Sequence, residues 1–213
     1  MRLKIIGSLC FMSLLLIGNL WSEDDNLDSW INAIANPDPS VRLKAIISLE
    51  KKAQQPEKVV PSLIRCLSDQ NRNVRAKAAE ALGNLGELAV AAIPDLIKMF
   101  YNQKNNINGP TFGPLAVSDC YTDNGCYQAA VALGKIGRFQ ELEKIVVPAL
   151  TKPMLEEEGL EIRKFAAISL QILGQKAAPA VPFLIKALVN HDEQVRFYAI
   201  DALGAIGQEA APA

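Results

Sequence analysis

Residues 59–86 read VVPSLIRCLSDQNRNVRAKAAEALGNLG and contain the pattern that decides the fold. Pro61 suits the start of a helix, because the first-turn N–H has no partner within the helix. The polar run 69–73 can turn the chain and cap a second helix, and Gly86 is suited to ending that helix in a left-handed conformation. The stretch therefore predicts two helices, over 61–67 and 74–85, joined by a short turn.

The same pattern recurs along the chain. Val74-Arg75 follows Val41-Arg42 after 33 residues, and Val195-Arg196 follows Ile162-Arg163 at the same spacing. An alanine stands three residues after each of these arginines and a leucine stands seven residues after it. A helical hairpin has more apolar surface than it can bury alone, so such repeats stack on one another. We therefore expect an all-α solenoid of about five helical hairpins.

The repeats assign a solenoid domain to residues 26–213, with units near 26–53, 57–86, 90–137, 145–174 and 180–207. In the third unit Pro94 and Pro148 are 54 residues apart, where 33 is usual, so 21 residues are extra and we place an insertion at 101–123. The last residues, 207–213, copy residues 174–180, after which another helix begins in the earlier copy. We therefore interpret the array as truncated at its C-terminus, a fragment of a longer one.

Residues 1–22 are predicted to be an export signal peptide or an N-terminal anchor. Arg2 and Lys4 precede an apolar run over 5–17, and acidic residues follow at 23–25. This order is typical of a secretory signal, and the run is shorter than the roughly 20 residues of a membrane-spanning helix. Cleavage near Ser22, an uncleaved anchor and lipidation at Cys10 stay open. We expect an exported protein, periplasmic or secreted, that touches a membrane only if this segment is uncleaved.

Composition and motifs indicate a binding protein and not an enzyme. The formal net charge is −1, so no excess of positive charge points to nucleic acid. His191 is the single histidine, and the sequence has no glycine-rich phosphate loop, nucleophile motif or zinc motif. We therefore expect no catalytic residues, no cofactor and no metal site.

The full pattern is Pro-x-Leu-Ile-x-x-Leu, a polar turn, and then Val-Arg-x-x-Ala-x-x-x-Leu-Gly-x-Ile-Gly. It resembles the HEAT repeat, and in particular the short variety shared with phycobilisome lyases, over almost everything after residue 26. The resemblance implies a right-handed, armadillo-like α-α superhelix whose second helices line a groove for a protein or peptide partner. Two alternatives stay open, which are bilin attachment of the lyase kind and a structural segment of a larger envelope protein. Lyases of this type work in the cytoplasm, so the export signal counts against the first.

The recurring arginines are expected to be structural. At 100° per residue, the alanine and leucine that follow each arginine lie on its own side of the helix, which is the packed side. We expect the guanidinium groups to bond polar residues of the turns such as Asn36, Asp69 and Asn190. This structural ladder consists of Arg42, Arg75, Arg163 and Arg196.

The positions one, two, five and nine residues after each arginine point the other way. In the later units they carry aromatic side chains, and exposed aromatic side chains are typical anchors of interfaces. The same side chains could instead fill contacts between neighbouring helices. The candidate partner-binding residues are Tyr127, Phe165, Phe197, Tyr198 and Asp201.

The cysteines are assigned separately. Cys120 and Cys126 flank a segment that can turn tightly, and an exported protein permits a disulfide between them. Two cysteines with no nearby histidine are too few for a metal site, whereas a reactive thiol stays open. Cys66 falls on the core-facing side of its helix, so we expect it to pack in the core.

Overall fold

In the computed structural model, the described residues are 26–101, 124–155 and 160–207. They form α-helices and two 3-10 segments, and no strand occurs within these three ranges. The α-helices are α1 (Leu27–Ala33), α2 (Pro39–Glu50), α3 (Pro56–Cys66), α4 (Arg72–Leu85), α5 (Ile93–Tyr101), α6 (Asn124–Gly137), α7 (Glu143–Leu155), α8 (Leu160–Leu173), α9 (Val181–Ala187) and α10 (Glu193–Ile206). The 3-10 segments, Gly86–Ala92 and Gly174–Ala180, precede α5 and α9. The predicted export segment 1–22, residues 102–123 of the predicted insertion, and residues 208–213 lie outside the described residues.

Each odd-numbered helix packs against the even-numbered helix that follows it, so the helices form hairpins. Of the leucines seven residues after an arginine, Leu49, Leu82 and Leu170 are fully buried, and Leu203 is half-buried and packs against the core. The all-α solenoid of stacked hairpins is therefore confirmed.

The hairpin turns use one polar device three times. In each, an Asn or Asp oxygen accepts the N–H two residues later, and the acceptor there is Asn36, Asp69 or Asn190. The residue two positions on then caps the even-numbered helix with its own side chain, and these caps are Asp38, Asn71 and Asp192. The polar runs that the sequence marked as turns therefore also start the second helices.

Proline does not mark the helix start in every unit. The helix α3 begins at Pro56 and contains Pro61 in its interior, and α7 likewise contains Pro148. The prediction that the first helix of the second unit spans 61–67 is therefore wrong, since α3 begins five residues earlier. Another proline, Pro56, already stands at the first helical position, where it costs no hydrogen bond.

Glycine at positive φ ends three of the five even-numbered helices, at Gly86, Gly174 and Gly207. Gly86 has φ 57° and ψ −124°, a conformation that side chains with a Cβ rarely adopt. In the third unit Gly137 is not at positive φ. The residue with positive φ in that unit is Gln140, with φ 46°. Gly137 serves close packing instead, because a Cβ there would lie 2.9 Å from Leu173 Cδ2.

The even-numbered helices stack directly on one another along the array, whereas the odd-numbered helices mainly contact their own partner and the linkers. Small residues allow this approach. A Cβ on Gly83 of α4 would lie 2.9 Å from Ala132 Cα of α6, and a Cβ on Gly134 would lie 2.8 Å from Ser169 O of α8. The even-numbered layer is therefore the closer-packed of the two.

The stretch Ile162–Ala187 has the length and composition of a membrane span. The chain turns within it, because Gly174 has φ 61° and a 3-10 segment separates α8 from α9. Both helices belong to hairpins of the solenoid, and their core residues include Leu170, Leu173 and Leu184.

Gly83 and Gly204 occupy the same place in two units and test the close approach of the even-numbered helices. We expect Gly83→Ala to lower the free energy of unfolding by about 1–3 kcal/mol, because its Cβ would overlap α6. Gly204 has nothing within 4 Å of an added Cβ, so Gly204→Ala should raise that energy by about 0.5–1 kcal/mol. Urea unfolding of both variants measures the difference, and equal effects would contradict the packing argument.

Candidate functional site

The predicted binding residues lie on the even-numbered helices, in two aromatic pairs. Tyr127 of α6 and Phe165 of α8 meet edge to face, with ring centroids 5.6 Å apart. Phe197 and Tyr198 of α10 meet at the same distance. Tyr127 remains 37% exposed and Phe197 57% exposed. The rings therefore fill contacts with each other and still offer surface to a partner.

Asp201 lies less than one turn beyond Tyr198 on α10 and is half-buried. It follows the arginine of its unit by five positions, whereas Tyr198 follows it by two. The structure therefore places a carboxylate on the same helix as the second aromatic pair.

The even-numbered helices α2, α4 and α6 carry polar side chains that bond to one another in a polar network. Asn84 Nδ2 of α4 donates to Glu50 Oε1 of α2 at 2.8 Å, and Lys135 Nζ of α6 donates to Asn84 Oδ1 at 2.8 Å. Lys77 Nζ forms ion pairs with Glu80 at 3.0 Å and with Glu50 at 3.8 Å. Four of these five residues stand at outward-facing positions of the repeat, and the sequence did not indicate that they would bond to one another.

Two further lysines stand at outward-facing positions, two and nine residues after Arg42. Lys44 and Lys51 are exposed, and within the described part of the chain they make no ion pair. Lys164 differs from these two lysines. It also stands at an outward-facing position of the repeat, but it is only 4% exposed.

One position per even-numbered helix traces the length of this surface. It stands two residues after the arginine, or after Cys126 in the third unit, and we call the set the groove row. The groove row consists of Lys44, Lys77, Gln128, Phe165 and Tyr198.

The arginine ladder lies at the turns. Arg42 Nη1 donates to the carbonyls of Asn36 at 2.8 Å and Pro37 at 3.0 Å. Its Nε and Nη2 donate to the two carboxylate oxygens of Asp69 in the next hairpin, both at 2.7 Å. The hydrogen bond with Asp69 raises the pKa of Arg42 above its ordinary value, so this guanidinium stays charged and joins two units.

The other ladder residues share part of this geometry. Arg75 Nη1 donates to the carbonyls of Asp69 and Gln70, and Arg196 Nη1 donates to those of Asn190 and His191. The Nε atom of Arg163 is buried and has no hydrogen-bond partner within the described residues. The turn before Arg163 includes residues 156–159, which lie outside the described residues.

The two described cysteines are buried. Cys66 Sγ donates to the carbonyl of Ser62 at 3.5 Å, and burial raises the pKa of the Cys66 thiol to about 11. This thiol therefore stays protonated at neutral pH and packs in the core. Cys126 Sγ donates to the carbonyl of Met99 at 3.6 Å, which ties α6 to α5. Cys120 lies outside the described residues, so the disulfide with Cys126 stays a prediction.

The structure brings no metal-ligand cluster together in the part it describes. No group of three or more His, Cys, Asp or Glu residues lies close enough there to hold a metal ion. His191 is an exposed residue of the turn before α10, and its carbonyl accepts a hydrogen bond from Arg196.

Comparison with known proteins agrees with this architecture. A sequence model described as HEAT repeats matches residues 27–107 and 147–213. None of the curated proteins with which the sequence was compared matches it significantly.

Three solved structures illustrate the fold. An engineered protein, Northeast Structural Genomics Consortium target OR329, is 21% identical with a TM-score of 0.53, over 84% of this chain and 78% of that one. A designed armadillo repeat protein in complex with the peptide (KR)4 is 18% identical with a TM-score of 0.53, over 85% and 82%. The complex of CpcE and CpcF of phycocyanin lyase from Nostoc sp. PCC7120 is 22% identical with a TM-score of 0.56, over 87% and 66%. At these identities the likeness shows the fold alone.

The bond between Arg42 and Asp69 can be tested by a double-mutant cycle. Their side chains are each 12% exposed, so we expect Arg42→Ala to cost about 2–4 kcal/mol of unfolding free energy. Asp69→Asn should cost less, because an asparagine can still accept the N–H two residues later, as Asn36 and Asn190 do. Urea unfolding should show that the two changes together cost less than the sum of the single changes.

Lys58→Ala is the matched control, because it removes an exposed ion pair with Asp28 whose side chains are 49% and 65% exposed. Such a pair is worth at most about 1 kcal/mol. Full additivity at Arg42 and Asp69, or a loss no larger than that of Lys58→Ala, would contradict the structural role of the ladder.

Proposed function

The chain belongs to the HEAT-repeat family, and on this premise we propose that it is a non-catalytic scaffold. It binds an extended segment of a partner protein in the groove formed by its even-numbered helices. The observation that carries the proposal is the exposure of two aromatic side chains on the even-numbered helices, Tyr127 of α6 and Phe197 of α10.

The exposure of these rings supports binding because water solvates apolar surface poorly. Tyr127 already packs against Phe165, so its ring is held in place before a partner arrives. Aromatic side chains that are held in this way lose little conformational freedom on binding, and they are frequent hot spots of interfaces. The aromatic half of the groove is therefore suited to take an apolar side chain.

Two structures of similar fold support the same kind of role. The designed armadillo repeat protein is in complex with a peptide, and CpcE is in complex with CpcF. The peptide and CpcF are the partners of those two proteins. They show that solenoids of this architecture can hold a peptide or a second protein.

Bilin attachment of the lyase kind is the alternative activity. Its support is the similarity to the phycocyanin lyase complex, which at 22% identity extends to the fold only. The described groove offers aromatic rings and lysines, and no observation in it favours chromophore chemistry over partner binding. We therefore prefer the scaffold.

Capture of a partner by the exported chain tests the groove. We expect the combined change of Phe165, Phe197 and Tyr198 to Ala to weaken capture at least about tenfold, because interface aromatics of this kind are commonly worth 2 kcal/mol or more each. Phe139→Ala is the control, since Phe139 lies in the linker after α6 and is similarly exposed at 39%. Partner capture that survives the triple change, as measured by quantitative pull-down and mass spectrometry, would remove the groove from the proposal.

We further propose that the scaffold works outside the cytoplasm. The support is the order of basic, apolar and acidic residues over 1–25. Cell fractionation should find the chain in the exported fraction, and mass spectrometry of its first residues should show whether the segment 1–22 has been removed. Recovery in the cytoplasmic fraction alone would oppose export and would favour the lyase alternative.

A further inference from the structure

The groove row changes its chemistry from one end of the array to the other. It begins with two lysines, Lys44 of α2 and Lys77 of α4, and it ends with two aromatic residues, Phe165 of α8 and Tyr198 of α10. The amide of Gln128 on α6 stands between them. Because these residues share one register on helices that stack directly, a segment lying along the row meets them in order.

The first half of the groove carries excess positive charge. Lys77 and Lys135 are bonded within the polar network, which also contains the carboxylates of Glu50 and Glu80. Lys44 and Lys51 stand outside the network, and Asp38 adds a negative charge near Lys44, so these four lysines outnumber three carboxylates. Charge complementarity therefore favours carboxylates of a partner at this end.

The second half carries the opposite preference. The ring of Phe197 remains 57% exposed. This exposed ring favours a large apolar side chain of the partner at this end. Asp201 on α10 would repel an acidic residue placed there. The two halves thus discriminate between the ends of one bound segment, by attraction at the lysines and by repulsion at Asp201.

The spacing of the helices sets the spacing of the two preferences. Axes of packed helices are about 8–10 Å apart, and an extended chain advances about 3.3 Å per residue, so one hairpin corresponds to about three residues. Lys77 and Phe165 are two steps apart along the even-numbered helices, and Lys44 and Tyr198 are four steps apart.

We propose that the groove recognises an extended protein segment in which acidic residues lie about six to twelve residues from a large apolar side chain. The acidic residues lie at Lys44 and Lys77, and the apolar side chain lies against the rings of Phe165, Phe197 and Tyr198. This assignment rests on the proposed function, since it names the chemistry of the partner for the same groove.

Selection from a display library of random peptides of about 16 residues, long enough to span the array, tests the assignment. We expect the exported chain to enrich peptides that combine Asp or Glu with Phe, Leu or Trp at a separation of about six to twelve residues. Enriched peptides that are basic, or that show no charge preference, would overturn the assignment while leaving the groove as the binding site. If no enriched peptide loses binding on the combined change of Phe165 and Tyr198 to Ala, the proposed function itself fails.

Charge reversal then tests the lysine end with a selected peptide. We expect Lys44→Glu to weaken binding about three- to tenfold in fluorescence anisotropy at low salt, with a smaller effect at high salt. Replacing the acidic residues of the peptide by Lys should restore binding to this variant. Lys186→Glu is the matched control, because Lys186 is exposed on the odd-numbered helix α9. This substitution changes the net charge by the same amount as Lys44→Glu. Equal weakening by both variants would show non-specific attraction and would overturn the assignment.

Discussion

The close approach of the even-numbered helices is the constraint on which the rest of the molecule depends. At Gly83 and Gly134 the neighbouring helix lies where a Cβ would otherwise stand, and alanines such as Ala79 and Ala130 are fully buried beside them. Dispersion contacts between backbones replace those of large side chains there. The odd-numbered helices pack mainly within their own hairpins and stand less close to one another. A solenoid with one tightly packed layer curves toward that layer, which supports the proposed groove on the even-numbered helices.

The arginine ladder determines which charges remain for that groove. Arg42 binds the carbonyls of its own turn and the carboxylate of Asp69 in the next hairpin, so its charge is used at the edge of the array. Arg75 and Arg196 likewise donate to carbonyls of their own turns. The charge of the inner surface therefore comes from lysines such as Lys44 and Lys51, which the helices present away from the turns. A long planar guanidinium can bridge several acceptors, whereas a lysine ammonium is a compact charge that stays available to a partner.

One repeat register produces two different surfaces. Near α2, α4 and α6 the inner side chains bond to one another through Glu50, Asn84 and Lys135, which orders them without a partner. On α6, α8 and α10, rings that stand one or two residues after the arginine, or after Cys126, pack in pairs and remain partly exposed. Ordered polar groups and held rings both reduce the entropy lost on binding. The two parts of this surface therefore differ in chemistry.

The sequence by itself determined the hairpin unit, the number of repeats, the turns and the core leucines, because these depend on periodicity and on residues close together in the chain. It also indicated that the arginines face the packed side. Tertiary structure decided what those residues contact. The bond from Arg42 to Asp69 spans 27 residues, and the bond from Lys135 to Asn84 spans 51. Such contacts, like the burial of Lys164 and the interior placement of Pro61, depend on how far each hairpin rotates and approaches the next. That rotation follows from the packing of many small residues at once, and a repeat pattern along one chain does not contain it.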